Sequence, residues 1–168
     1  MKKIFLLLSI VFAFSGCEKD DICDANTPTT PRLVIEFYNY LTVTQTLKNV
    51  TNLRVSSTSV VANIDKTAVS KIQVPLQTNT ETTTLLFIQN GSDLDLTNNN
   101  TDILTFNYKT YDVYVSRACG FKTLFNLDPA DPITKSEPTI PDGAWIKNIV
   151  VVKPNLESEN EVHVKIYF

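Results

Sequence analysis

The chain has 168 residues, with 15 Lys and Arg against 18 Asp and Glu for a formal charge of −3, and 43% of it is hydrophobic. That length suits one domain with a packed core, and the acidic balance argues against a nucleic-acid partner, because a phosphate-binding surface needs clustered Lys and Arg. One His, one Trp, three Cys and four Gly leave little material for metal cages, His-dependent catalysis or phosphate-cradling glycine loops.

The chain opens with Lys2 and Lys3, followed by the apolar run Ile4 to Phe14. At about 1.5 Å per residue this run reaches roughly half of a ~30 Å hydrocarbon core. It therefore fits the apolar region of a signal peptide, predicted over residues 1–16. The run ends in Phe14-Ser15-Gly16-Cys17, which resembles the bacterial lipobox, where the Cys is acylated and becomes the new amino terminus. Phe14 departs from it, since Leu is commoner there. An ordinary secretory signal followed by an unmodified Cys17 is the alternative.

Residues 17–31 are predicted to be the acylated Cys and a flexible tether, with charges from Glu18 to Asp21 and Pro28 and Pro31 near its end. Lys19, Asp20 and Asp21 also resemble the export signal of Bacteroidota-type surface lipoproteins. That likeness implies an outer-membrane protein facing outward; a periplasm-facing one is the alternative. Cleavage would remove Lys2 and Lys3 and leave 13 basic against 18 acidic residues. Such a surface attracts anionic lipid poorly, so attachment would rest on the acyl chains of Cys17.

With Cys17 acylated, Cys23 and Cys119 remain. An exported chain meets an oxidising compartment, so these two are expected to form a disulfide. The alternative is a reactive Cys119 thiol, for which His163 is the available base.

Residues 32–168 are expected to form one all-β domain. Thr occurs 21 times, Val 16, Ile 13 and Ala only 7, and β-branched residues favour strands. Alternation marks Leu33/Ile35/Phe37, Leu53/Val55, Ile72/Val74/Leu76 and Leu86/Ile88. Pro75 makes its strand an edge or a bulged one. After a turn at Asn90-Gly91-Ser92-Asp93 come Leu104/Phe106/Tyr108, Tyr111/Val113/Val115 and Phe121/Phe125/Leu127. Four prolines and Asp142-Gly143 make 128–143 an extended loop. Ile149 to Val152 reads as a strand covered on both faces. Lys153 to Glu161 is a polar connection suited to a hairpin. The last strand alternates Val162, Val164, Ile166 and Phe168 with His163, Lys165 and Tyr167. Eight or nine such strands predict an antiparallel two-sheet sandwich, Greek-key or immunoglobulin-like, with a small β-barrel as alternative.

Candidate chemistry is sparse. The alternation puts His163 on the polar, solvent-facing side of its strand. No Gly-x-Ser-x-Gly elbow supports a hydrolase around it, and no catalytic residue is assigned. Asp93, Asp95, Asn98, Asn99, Asn100 and Asp102 crowd one stretch and could offer oxygens to Ca²⁺, but the central Gly and terminal Glu of an EF-hand loop are missing. Their expected role is that of turn formers, and no metal site is assigned. Trp145 is expected to cap the core. Tyr38, Tyr40, Tyr114 and Tyr167 fall on outward faces, and Thr82-Thr83-Thr84 is ordinary strand chemistry.

Cys23, the run Pro31-Arg32-Leu33-Val34-Ile35-Glu36-Phe37-Tyr38, the stretch from Tyr111 through Ser116-Arg117-Ala118-Cys119-Gly120-Phe121, and the ending His163-Val164-Lys165-Ile166-Tyr167-Phe168 together resemble a family of small Bacteroidota-type envelope lipoproteins classed as a domain of unknown function. The resemblance implies export, lipid attachment and a β domain, and it implies no activity. The functional expectation is therefore a lipid-anchored, surface-exposed outer-membrane lipoprotein acting as a non-enzymatic binding or structural module, without cofactor. Its partners would be the membrane, through Cys17, and an envelope protein or glycan. A hydrolase or thiol enzyme using His163 or Cys119 is the alternative.

Overall fold

Alternating β-branched and aromatic residues build eleven strands in the computed structural model, which describes residues 22–57 and 63–168. They are β1 (Leu33–Tyr38), β2 (Val50–Ser57), β3 (Ile64–Val69), β4 (Lys71–Val74), β5 (Thr82–Gln89), β6 (Asn100–Ser116), β7 (Gly120–Leu127), β8 (Ile133–Ser136), β9 (Asn148–Val151), β10 (Asn155–Leu156) and β11 (Val164–Tyr167). Among the described residues the only helical piece is one 3₁₀ turn, Leu96–Asn98.

A four-stranded sheet has the order β4-β1-β11-β9, and a seven-stranded sheet the order β10-β7-β6-β5-β2-β3 with β8 also paired to β6. Leu33, Ile35, Phe37, Ile72, Val74, Val164 and Ile166 of the small sheet share one core with Leu53, Val55, Leu85, Phe87, Leu104, Phe106, Phe125 and Leu127 of the large one. The molecule is thus an all-β, two-sheet sandwich and does not close into a barrel. Most pairings are antiparallel, but β1 and β11 run parallel, with Ile35 opposite Val164 and Phe37 opposite Ile166. The first and last strands of the domain therefore lie side by side at the centre of the small sheet.

Several expectations need correction. The buried face of β5 is Thr83, Leu85 and Phe87, whereas Leu86 and Ile88 are half-buried on the other side. Residues 85–88 are all apolar, so alternation there does not set the phase. Thr83 turns inward because its hydroxyl is satisfied, lying 2.6 Å from the Tyr108 hydroxyl and accepting from Gln77 N at 2.9 Å. The apolar run around β9 is not covered on both faces: β9 is the edge of the small sheet, and Val150 and Val152 are exposed. The 128–143 stretch contains β8 rather than being loop throughout. Pro75 directly follows β4, which is the other edge of the small sheet, where no ladder donor is missed.

Candidate functional site

The longest strand carries the feature that sets this sandwich apart. β6 runs for 17 residues. Asn100 to Asn107 pair with β5 and Tyr108 to Ser116 pair with β7. Along the outer half, Tyr108 faces Leu127, Thr110 faces Phe125, Asp112 faces Thr123 and Tyr114 faces Phe121. These pairs continue the core-facing side of the sheet, but they outrun the core. Exposure rises from 2% at Tyr108 to 56% at Tyr114 and 68% at Phe121. The outer two rings meet edge to face with centroids 5.4 Å apart.

At the tip of this hairpin the Ser116 hydroxyl accepts from Cys119 N, and Gly120 takes φ +70°, a left-handed conformation that suits glycine. Cys119 is bonded to Cys23, with Cα atoms 4.9 Å apart across a sequence separation of 96. The segment leading into β1 is held at two further points. Thr123 N donates to the Thr30 hydroxyl at 3.0 Å. Arg32 forks onto Glu159, its Nε donating to Oε1 and its NH2 to Oε2, each at 2.7 Å. The exposed side chain of Ile22 stands beside this staple. Cys17, Lys19, Asp20, Asp21 and the predicted signal segment lie outside the described residues.

His163 is a correction. It is 1% exposed rather than solvent-facing. It immediately precedes β11, where its N donates to Val34 O and its Nδ1 accepts from Val34 N at 3.0 Å. The imidazole thus serves as the last acceptor of the β1–β11 ladder. Burial holds its pKa below the ordinary 6.5, and the Nδ1 lone pair is already used. Cys119, the nucleophile that could have partnered it, is in the disulfide.

The acidic stretch divides in two. Asp93 accepts from Leu94 N and from the Asn52 amide. Asp95 accepts from Thr97 N, the Thr97 hydroxyl and the Asn98 amide, and the Thr97 hydroxyl and then Thr97 N hold its pKa down. Both behave as turn formers. Asp102 instead points into the fold, fully buried, and its Oδ2 accepts from Trp145 N at 2.9 Å and Ile146 N at 2.7 Å. Its Oδ1 has no hydrogen-bond donor among the described residues. Glu137, one residue past the Ile103–Ser136 pair, is set opposite Asp102 and has both carboxylate oxygens hidden without such a donor. Its pKa is raised, by burial first, then by the charge of Asp102 and a carboxyl–carboxyl hydrogen bond with it, against a smaller lowering by Lys135. Sequence reasoning missed Glu137. The available signal was Asp102 itself, a carboxylate on the strand face that continues as Leu104, Phe106 and Tyr108. Among the described residues no three His, Cys, Asp or Glu side chains form a metal-binding group.

Trp145 is in the core as expected, its indole N–H donating to Phe87 O at 3.0 Å. The tyrosines do not form one stripe. Tyr38 and Tyr167 stack at 5.6 Å beneath the Lys165 ammonium. Burial and a hydrogen bond to Glu36 push the Tyr38 hydroxyl up to about 12. Tyr40 and Tyr114 stand apart from this pair and are exposed. A cleft of about 530 Å³ opens between the sheets beside Pro75, with Val55, Ile64, Val74, Leu76 and Leu85 in its lining, and no charged side chain of the described residues lines it.

A family model described as a family of unknown function, DUF6452, matches residues 40–168. No curated protein and no solved structure matches the chain.

Proposed function

We propose that this chain, which belongs to the DUF6452 family of unknown function, is a lipid-anchored module of the bacterial cell envelope that binds or supports a partner and performs no catalysis of its own. Cys17 carries the acyl chains, and Lys19, Asp20 and Asp21 direct the protein to the outward face of the outer membrane. The partner is an envelope protein or a glycan.

The observation that carries this reading is the Cys23–Cys119 disulfide. A bridge in a small domain suits an oxidising, exported compartment. It also fixes where the anchored segment meets the domain. Six residue steps separate Cys17 from Cys23, which span at most about 20 Å when fully extended. The hairpin tip therefore faces the membrane, and Tyr114, Phe121 and Ile22 lie at the depth of the headgroups, where aromatic side chains are favoured. The opposite end of the sandwich faces outward. The reading leaves His163 and Cys119 without catalytic roles, because both are committed to structural bonds.

Mass spectrometry of the protein from envelope fractions tests the anchor. The expected amino terminus is acylated Cys17, and an unprocessed Met1 on protein recovered from cytosol would overturn the reading. Protease shaving of intact cells tests the outward face, with accessibility expected to drop in the Asp20→Ala, Asp21→Ala double variant.

A further inference from the structure

All of the buried side-chain polar atoms left without a partner among the described residues are oxygens: Asn99 Oδ1, Asn100 Oδ1, Asp102 Oδ1 and both carboxylate oxygens of Glu137. They come from two neighbouring pieces of chain. Asn99 and Asn100 lead into β6, and Asn100 and Asp102 lie two residues apart on one strand face. Glu137 continues β8 at the position opposite Asp102. Directly opposed residues of an antiparallel pair hold their Cβ atoms about 5 Å apart. Asp142 borders the group, its Oδ2 accepting from Thr101 N and its main-chain oxygen from the Asn100 amide.

Two carboxylates hidden from water and facing each other are costly unless a positive charge or a proton lies between them. Lys135 lies on the same face of β8 and its charge acts on Glu137, but its ammonium is bonded to Ile146 O at 2.6 Å rather than to either carboxylate. Asp102 cannot turn away, because its other oxygen holds the main chain of Trp145 and Ile146. What is left is a set of hard oxygen donors, charged and neutral, with no nitrogen or sulfur among them. That donor set suits Ca²⁺, which accepts mixed carboxylate and amide oxygens in flexible geometry, better than Mg²⁺, which demands a strict octahedron. We propose that Asp102 and Glu137, with the amide oxygen of Asn100, bind one calcium ion, which clamps the start of β6 to the end of β8 and to the Trp145 segment.

This site is separate from the exposed Asp93–Asp95 turn, whose carboxylates are already hydrogen-bonded, and it does not depend on the lipid anchor. The test uses the purified full-length protein, disulfide intact and stripped with a chelator. Titration with CaCl2 by calorimetry should show one site, with Kd in the range of about 0.1–1 mM typical of extracellular modules, and MgCl2 should bind more weakly. Tb³⁺ should give luminescence sensitised by Trp145, whose main-chain N–H donates to the Asp102 carboxylate. Glu137→Gln removes one charge while leaving Asp102 to hold Trp145, so it should abolish Ca²⁺ and Tb³⁺ binding with Trp145 fluorescence unchanged. Asp93→Asn with Asp95→Asn should bind as the parent does. Absence of heat and of Tb³⁺ emission in the parent protein would overturn the proposal and leave a proton shared between the two carboxyls. Binding that persists in Glu137→Gln would overturn it equally.

Discussion

His163 is useful to the fold only when neutral. Its Nδ1 accepts the Val34 N–H inside the sandwich, and protonation there would put a second donor against a donor. Burial lowers its pKa below the 6.5 of an unfolded chain. The sign of the pH effect follows. Above about pH 6.5 neither state carries the proton, and the contribution is fully present. As the pH falls below that value the unfolded chain takes up the proton first, and stability is lost until the pH passes the folded pKa. The loss can approach about 1.4 kcal/mol per pH unit for one proton. His163→Asn offers an oxygen where Nδ1 stood and does not titrate. Urea unfolding at pH 7.5 and 5.5 should show a drop in the parent protein that is much smaller in His163→Asn. An equal drop in both would show that the ring is not the group that titrates. Alternation placed this residue outward because it treats every position before the strand as strand. A side chain that ends a ladder obeys the hydrogen-bonding need of its neighbour instead. The Asp102–Glu137 pair was half legible for a related reason: Asp102 stands out on an apolar face, whereas Glu137 acquires meaning only once the β6–β8 register is known.

At the level of elements, the turn after β5 shows how tightly strands are joined here. Asn90 takes the left-handed φ of +60°, and Asp93 N closes the turn onto Asn90 O. Gly91 is buried beneath it. A Cβ there would lie 2.6 Å from Ile88 Cγ2 and 2.9 Å from Arg54 Cβ. Neither neighbour can yield easily, since Ile88 and Arg54 are paired across β5 and β2. Arg54 is in turn forked onto Asp65 of β3. Gly91→Ala should therefore destabilise by about 1–3 kcal/mol through overpacking, seen as a lower denaturation midpoint with unchanged slope. A midpoint equal to the parent's would mean that the turn relaxes freely. β4 was legible because apolar and polar residues alternate cleanly in it, and β1 and the inner half of β6 because Leu33/Ile35/Phe37 and Leu104/Phe106/Tyr108 supply a buried face at every second position. β5 was out of phase because four consecutive apolar residues satisfy either phase, and the choice was made by Thr83 finding partners in Tyr108 and Gln77. β9 was misjudged because an apolar run can equally be an edge strand with one face open.

The molecule as a whole is a sandwich whose two ends of chain converge on different places. Its last strand lies parallel to its first at the middle of the small sheet, while the segment before that first strand is drawn out to the hairpin tip by Cys23. The parallel pair was not foreseeable, because strand order rests on contacts between residues more than a hundred positions apart. The staple was foreseeable only through the reading of Cys17 as acylated in an exported chain, which leaves Cys23 and Cys119 as a pair. Its energetic role depends on what the leading segment does once released. In the unfolded chain the bond closes a loop with a sequence separation of 96, which by chain entropy alone is worth nearly 5 kcal/mol. If residues 22–31 come loose in the folded state without the bond, the folded protein recovers part of that entropy, because there the bond closes only a short path from Arg32 to the tip. Loop entropy grows only with the logarithm of length, so the net loss falls to about 2–4 kcal/mol. The Cys23→Ser, Cys119→Ser double variant should keep the β spectrum, unfold at lower denaturant by that amount, and gain new protease cleavage between residues 22 and 32. The core of β1 and β11 should stay resistant. Cleavage that began within β6 or β7 would instead mean that the staple supports the hairpin itself, and the overhanging Tyr114–Phe121 pair would then owe its placement to the disulfide rather than to the length of β6.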